Sequence, residues 1–88
     1  MNEGMKDVSG ILSILKNEND TGKPYINFLL KNGKTLTYDN GSEFPFPKVM
    51  FVTFDCRVVQ FIDIDGIEWY VYCEEIVAIN LTKEKLGE

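Results

Sequence analysis

Val58-Val-Gln-Phe-Ile-Asp-Ile-Asp65-Gly66-Ile-Glu-Trp-Tyr-Val-Tyr72 consists of two β-branched and aromatic runs joined at an Asp-Gly pair, and its reading decides the fold. Such a pair between apolar runs marks a β-hairpin, because a two-residue type I′ turn needs positive φ at its centre, where glycine meets no steric cost. Asn32-Gly33 repeats the signal between Ile26-Asn-Phe-Leu-Leu30 and Leu36-Thr-Tyr38. Two-residue turns would set Leu30 opposite Thr35, Leu29 opposite Leu36 and Phe28 opposite Thr37 in the first hairpin, and Ile64 opposite Ile67 and Ile62 opposite Trp69 in the second. The second register predicts a core face of Ile62, Ile64, Ile67, Trp69, Val71 and Cys73. It leaves Phe61, Asp63, Glu68, Tyr70 and Tyr72 on a half-solvated face.

Outward from these hairpins, Val49 to Leu81 is almost continuously strand-like, with breaks at Asp55, at Asp65-Gly66 and near Glu74-Glu75, and Ile76 to Leu81 forms a last strand. Val8 to Lys16 fits helical spacing at Val8, Ile11, Leu12 and Leu15, and also the alternation of a strand. Gly10 weakens a helix interior, so the stretch is read as a strand. Asn17 to Lys23 is a polar loop, and Pro24-Tyr25 starts the next strand. Asn40 to Glu43 is a turn. The alternating prolines of Phe44-Pro-Phe-Pro47 rule out a central strand there, and Phe44 and Phe46 are expected to plug an end of the core.

With 88 residues the chain is expected to be one domain, 1–88, with frayed ends at 1–6 and 83–88. A 44% apolar content with one Trp, four Tyr and six Phe can build a core without staples. Cys56 and Cys73 are read as free thiols, because Met1 to Asp7 lacks the pattern of an export signal and the protein is expected to be cytoplasmic. No stretch has the length of a membrane span, so no membrane partner is expected. The triplets at Asn19, Asn40 and Asn80 then carry loop chemistry alone. The net charge of −5 is unevenly placed: residues 1–38 hold five Lys against four acids, and residues 39–75 hold eight acids against Lys48 and Arg57. An acidic half repels phosphate backbones and attracts basic protein surfaces.

Five or six strands in so short a chain point to a small antiparallel barrel. Val8-Ser-Gly-Ile-Leu12, Asp20-Thr-Gly-Lys-Pro-Tyr25, Ile26 to Leu30 and Asn32-Gly33-Lys34 resemble the opening strands of OB-fold domains, and Trp69 to Ile79 is similar to their closing strand. The resemblance covers residues 8–39 and 67–81, about half the chain. SH3-like barrels share this strand-and-turn grammar, and residues 40–48 are too short for the helix that OB-folds often place between their third and fourth strands. The resemblance implies a ligand-binding sheet face, typically for single-stranded nucleic acid, a nucleotide, an oligosaccharide or a protein. On this chain that face would comprise Lys16, Lys23, Tyr25, Asn27, Lys31, Lys34 and Tyr38.

The chain has no histidine, which removes the commonest general base and the commonest metal ligand together. The cysteines have no neighbouring ligands for zinc. Asp63-Ile-Asp65-Gly66 resembles the start of a calcium loop, but the later oxygen ligands are not at loop spacing. No phosphate-cradling glycine loop is present. Asp63 facing Glu68, or Glu74 beside Glu75, could serve as a carboxylate pair, yet an exposed turn offers nothing to raise a pKa. No enzyme activity, cofactor or metal is therefore expected. The first expectation is a small acidic protein-binding inhibitor or adaptor, docking on a basic partner through Phe61, Asp63, Glu68, Tyr70, Tyr72 and Glu74. The second is an OB-like barrel that stacks bases on Tyr25 and Tyr38 and holds phosphates with its lysines. Both are compatible with homo-oligomerisation.

Overall fold

A computed structural model describes residues 7–17 and 22–84. The order of elements is α1 (Val8–Asn17), β1 (Tyr25–Leu30), β2 (Thr35–Asp39), β3 (Lys48–Phe51), β4 (Arg57–Ile62), β5 (Glu68–Tyr72), a 3-10 turn (Cys73–Glu75) and β6 (Ile76–Thr82). The chain is mostly β. Among the described residues the strands form two antiparallel three-stranded sheets, β2-β1-β6 and β3-β4-β5, with no closed barrel. The expected tail strand is β6, and Asn19, Asp20 and both expected frayed ends, apart from Lys83 and Glu84, lie outside the described residues.

Residues 8–16, expected as a strand, are the one α-helix among the described residues. Its apolar side chains choose the 3.6-residue period because Val8 and Leu12 enter the core and Leu15 packs against its edge. Asp7 caps it: a side-chain oxygen accepts the Gly10 N–H at 3.1 Å and the backbone oxygen accepts the Ile11 N–H at 3.1 Å. Gly10, which argued against a helix, has a positional role instead. A Cβ there would stand 2.5 Å from the Asp7 carboxylate, so glycine makes room for the cap.

Both hairpins lie where the sequence put them, and both are out of the expected register by one residue. Leu29 pairs with Thr35, Phe28 with Leu36 and Ile26 with Tyr38, while Ile62 pairs with Glu68, Phe61 with Trp69 and Val59 with Val71. The reason is a three-residue loop in place of a two-residue one. Leu30 N–H donates to the Lys34 carbonyl and Gly33 N–H to the Leu30 carbonyl; Asp63 N–H donates to the Ile67 carbonyl and Gly66 N–H to the Asp63 carbonyl. Gly33 at φ 89° and Gly66 at φ 83° occupy the third loop position, where a type I turn needs a left-handed residue to rejoin the ladder. The one-residue slip moves Phe61 and Asp63 to the inner face and Ile62 to the outer one, and leaves Glu68, Tyr70 and Tyr72 on the outer face.

The two inner faces pack on each other under α1. Ile26, Phe28, Leu36 and Tyr38 meet Val59, Phe61, Val71 and Cys73, with the Phe28 and Phe61 rings 4.8 Å apart. Phe44 and Phe46 pack against this core, as the plug reading expects. The Tyr38 hydroxyl, which burial pushes up in pKa, donates to the Phe44 carbonyl at 2.8 Å, and its ring meets Phe46 edge-on at 5.8 Å. The Ile64 N–H donates to the Thr37 carbonyl at 3.2 Å, stitching the turn of one sheet to the edge of the other.

Candidate protein-binding face

The outer face of the β3-β4-β5 sheet is built by alternation. With Phe61, Val59 and Val71 inward, β4 turns Val58, Gln60 and Ile62 outward, β5 turns Glu68, Tyr70 and Tyr72, and β3 turns Lys48 and Met50. Val58 sits between Met50 on one side and Tyr72 on the other, and those neighbours bury it. Tyr70 and Tyr72 are 57% and 53% exposed, large aromatic surfaces beside exposed Glu68 and Glu74. Tyr70 is fixed in place: its hydroxyl donates to Glu68 at 2.6 Å, and Gln60 donates to the same carboxylate oxygen at 3.2 Å. The Glu68 hydrogen bond, then its charge, push the Tyr70 hydroxyl up in pKa, which keeps it a neutral donor.

Of the six residues expected on this face, Glu68, Tyr70, Tyr72 and Glu74 are exposed together, and two are elsewhere. Phe61 is 1% exposed in the core. Asp63 is buried at the hairpin turn, where its carboxylate accepts the Asp65 N–H at 2.8 Å, the Ile67 N–H at 3.0 Å and the Trp69 indole N–H at 2.7 Å. It is a structural turn cap, not a contact residue and not the partner of Glu68 in an acid–base pair.

The face expected for a base-stacking ligand is divided more sharply. Tyr38 is buried with its hydroxyl engaged, so it has no ring face to offer. Asn27 is 0% exposed and makes every side-chain bond within the sheet: it accepts from the Thr37 hydroxyl at 2.7 Å and donates to Asn80 at 2.9 Å and Thr82 at 3.0 Å. Lys34 lies over the Trp69 ring at 4.7 Å. Lys16, Lys23 and Lys31 are exposed and Tyr25 is half-buried, spread over the helix end, a loop, a turn and a strand.

Sequence reasoning missed the tip of the β3–β4 hairpin. Phe51 and Val52 are exposed and Phe54 is 95% exposed, next to Met50 on the outer face. The readable signal was the apolar run from Val49 to Phe54 ending at Asp55, since a run that extends past a four-residue strand cannot all be covered. The tip closes with the Val52 N–H on the Cys56 carbonyl at 2.8 Å.

Among the described residues no group of three or more Cys, Asp or Glu is placed to hold a metal ion, and no helix is long and apolar enough to cross a membrane. Both cysteines are free, and burial pushes the Cys73 thiol up in pKa. No family model matches the chain, and neither a curated protein nor a solved structure matches it.

Proposed function

We propose that this protein is a non-catalytic binding module, an inhibitor or adaptor of cytoplasmic location, that docks on a partner with a basic surface through the outer face of the β3-β4-β5 sheet. The observation that carries the reading is the pair of half-exposed tyrosines, Tyr70 and Tyr72, on a rigid strand between exposed Glu68 and Glu74. Tyrosine supplies apolar contact area with a polar tip and loses little rotamer entropy on docking, so rigid tyrosines on a sheet make good anchors. Carboxylates at the rim steer a basic surface and set its orientation. The nucleic-acid alternative has less support, because Tyr38 and Asn27 are inside.

The small-barrel architecture belongs to the same proposal. The Ile64–Thr37 hydrogen bond joins the sheets along one side, and the 3-10 turn carries β5 into β6 on the other, so the two sheets act as the walls of a half-open barrel. The double variant Tyr70→Ala, Tyr72→Ala abolishes capture of the partner isolated with the natural chain and leaves the thermal transition within a few degrees. Undiminished capture of that partner by the double variant overturns the reading.

A further inference from the structure

The β5 strand hydrogen-bonds to β4 alone among the described residues, and the direction of its free groups follows from the hairpin closure. Asp63 and Ile67 form a hydrogen-bonded pair, so the ladder bonds fall at Phe61–Trp69 and Val59–Val71. The opposite hairpin agrees: the Val52–Cys56 bond turns the backbone groups of Val58 and Gln60 toward β3. The amides of Glu68, Tyr70 and Tyr72 and the carbonyls of Glu68 and Tyr70 therefore point outward, along an open edge whose side chains are the tyrosines and acid of the docking face, while the Tyr72 carbonyl starts the 3-10 turn. The edges of the other sheet differ. The Thr37 carbonyl on the β2 edge is taken by Ile64, and the outward positions of β6 are Val77, Ile79 and Leu81, with no charge among them.

We infer that β5 is a strand-addition site for an extended, basic polypeptide segment of the partner, which pairs with the outward groups of Glu68, Tyr70 and Tyr72 and places its cationic side chains against Glu68 and Glu74. The inference rests on the docking reading and specifies its mode. An added strand satisfies the free ladder groups, and its alternate side chains fall on the outer face beside the tyrosines, which is how edge-binding domains combine affinity with specificity. Charge selects the occupant: Glu68 at the start of the strand and Glu74 in the 3-10 turn that follows it flank the tyrosines, and the one lysine of the face, Lys48, stands at the far edge on β3. An exposed edge without an occupant would also be open to self-pairing, so a charged rim both guards it and selects an oppositely charged strand.

Backbone recognition can be separated from side-chain docking at Tyr72, whose φ of −59° already matches the proline ring. Tyr72→Ala removes the side chain and keeps the outward N–H; Tyr72→Pro removes both without touching the ladder to β4. The probe is a synthetic Arg-Thr-Arg-Thr-Arg-Thr-Arg peptide, blocked at both ends, beside a form methylated at every second amide nitrogen. Binding to the labelled full chain is followed by amide chemical shifts. The expected result is salt-sensitive binding centred on the Glu68, Tyr70 and Tyr72 amides, about tenfold weaker for the methylated peptide and about tenfold weaker for Tyr72→Pro than for Tyr72→Ala. The peptide comparison stands even where the proline variant fails to fold. Equal binding of both peptides at the tyrosines overturns strand addition and leaves the docking face intact. Binding of neither peptide overturns it as well, and the docking reading is then judged by partner capture with the tyrosine double variant. Amides on β5 already protected in a dimer or larger assembly show that a second copy occupies the edge, which also overturns the inference.

Discussion

On the outer face of the β2-β1-β6 sheet the central side chain, Asn27, is sealed by hydrogen bonds to Thr37, Asn80 and Thr82, one or two from each neighbouring strand. On the outer face of the β3-β4-β5 sheet the central Val58 is covered by Met50 and Tyr72, whose own surfaces stay in water. The first face uses its polar groups to hold three strands together. The second leaves Tyr70, Tyr72, Glu68 and Glu74 exposed, with Gln60 bonded to Glu68 across β4 and β5. Outer faces of two equal-sized sheets in one small domain can thus have unlike duties, and the difference is visible in where each polar side chain finds its partner.

The largest test of that contrast is Asn27→Ala against Tyr72→Ala. Loss of Asn27 strands the buried Thr37 hydroxyl and opens a cavity, which destabilises by about 3 kcal/mol. Tyr72→Ala on the other sheet changes stability by about 0.5 kcal/mol or less. Urea midpoints at constant m-value measure both, and equal losses would erase the distinction drawn between the faces.

Asp63 comes next, because its carboxylate ties the turn of the second hairpin to Trp69 on β5 and so holds the β3-β4-β5 sheet in register. Burial pulls its pKa up, but the donors from Ile67, Trp69, Asp65 and Gly66 outweigh it and hold the carboxyl below its ordinary value of 3.8. A depressed pKa means that the stabilisation is complete above the unfolded value and is lost as pH falls through the folded one. Asp63→Asn therefore costs about 2 kcal/mol at neutral pH. The gap between variant and natural chain narrows below pH 3.8. A gap that is constant down to the acid transition would show that the charge of Asp63 contributes nothing.

Smaller effects belong to the turns that set the two registers. Gly33→Ala and Gly66→Ala meet no neighbouring atom, so each costs only the left-handed conformation, about 1–2 kcal/mol by thermal unfolding. A cost at Gly66 but not at Gly33 would mean that only the β3-β4-β5 sheet depends on its turn. The smallest effect is at Gly10 in α1, outside both sheets. Alanine there gains about 1 kcal/mol of helix propensity but displaces the Asp7 cap, worth a similar amount, so the midpoint stays within error.

How far the fold could be read from residues varies by element. Asn32-Gly33 and Asp65-Gly66 located both turns because each glycine carries a positive φ that other residues avoid. They could not disclose loop length, since a two-residue turn and a three-residue turn with a left-handed third position both ask for glycine next to Asn or Asp. Four of the six residues expected on the candidate face, Glu68, Tyr70, Tyr72 and Glu74, are exposed, and two are inside, for the same reason. Glu68, Tyr70 and Tyr72 lie on β5, where alternation was read correctly, whereas Phe61 and Asp63 were assigned to that face through the cross-strand register. The exposure of Phe51 and Phe54 depended on how much of the hairpin the core would cover, a matter of sheet packing.

Composition and local pattern were enough to establish a β-rich chain with two hairpins, an irregular Phe-Pro segment, free thiols and no histidine chemistry, because each rests on a property of single residues or dipeptides. Register, the helix at Val8–Asn17 and the separate outer faces of the two sheets came from packing. Those features depend on which side chains meet across the core between strands distant in sequence, and a local pattern that fits two periods or two turn lengths is resolved only when the inner faces close on each other.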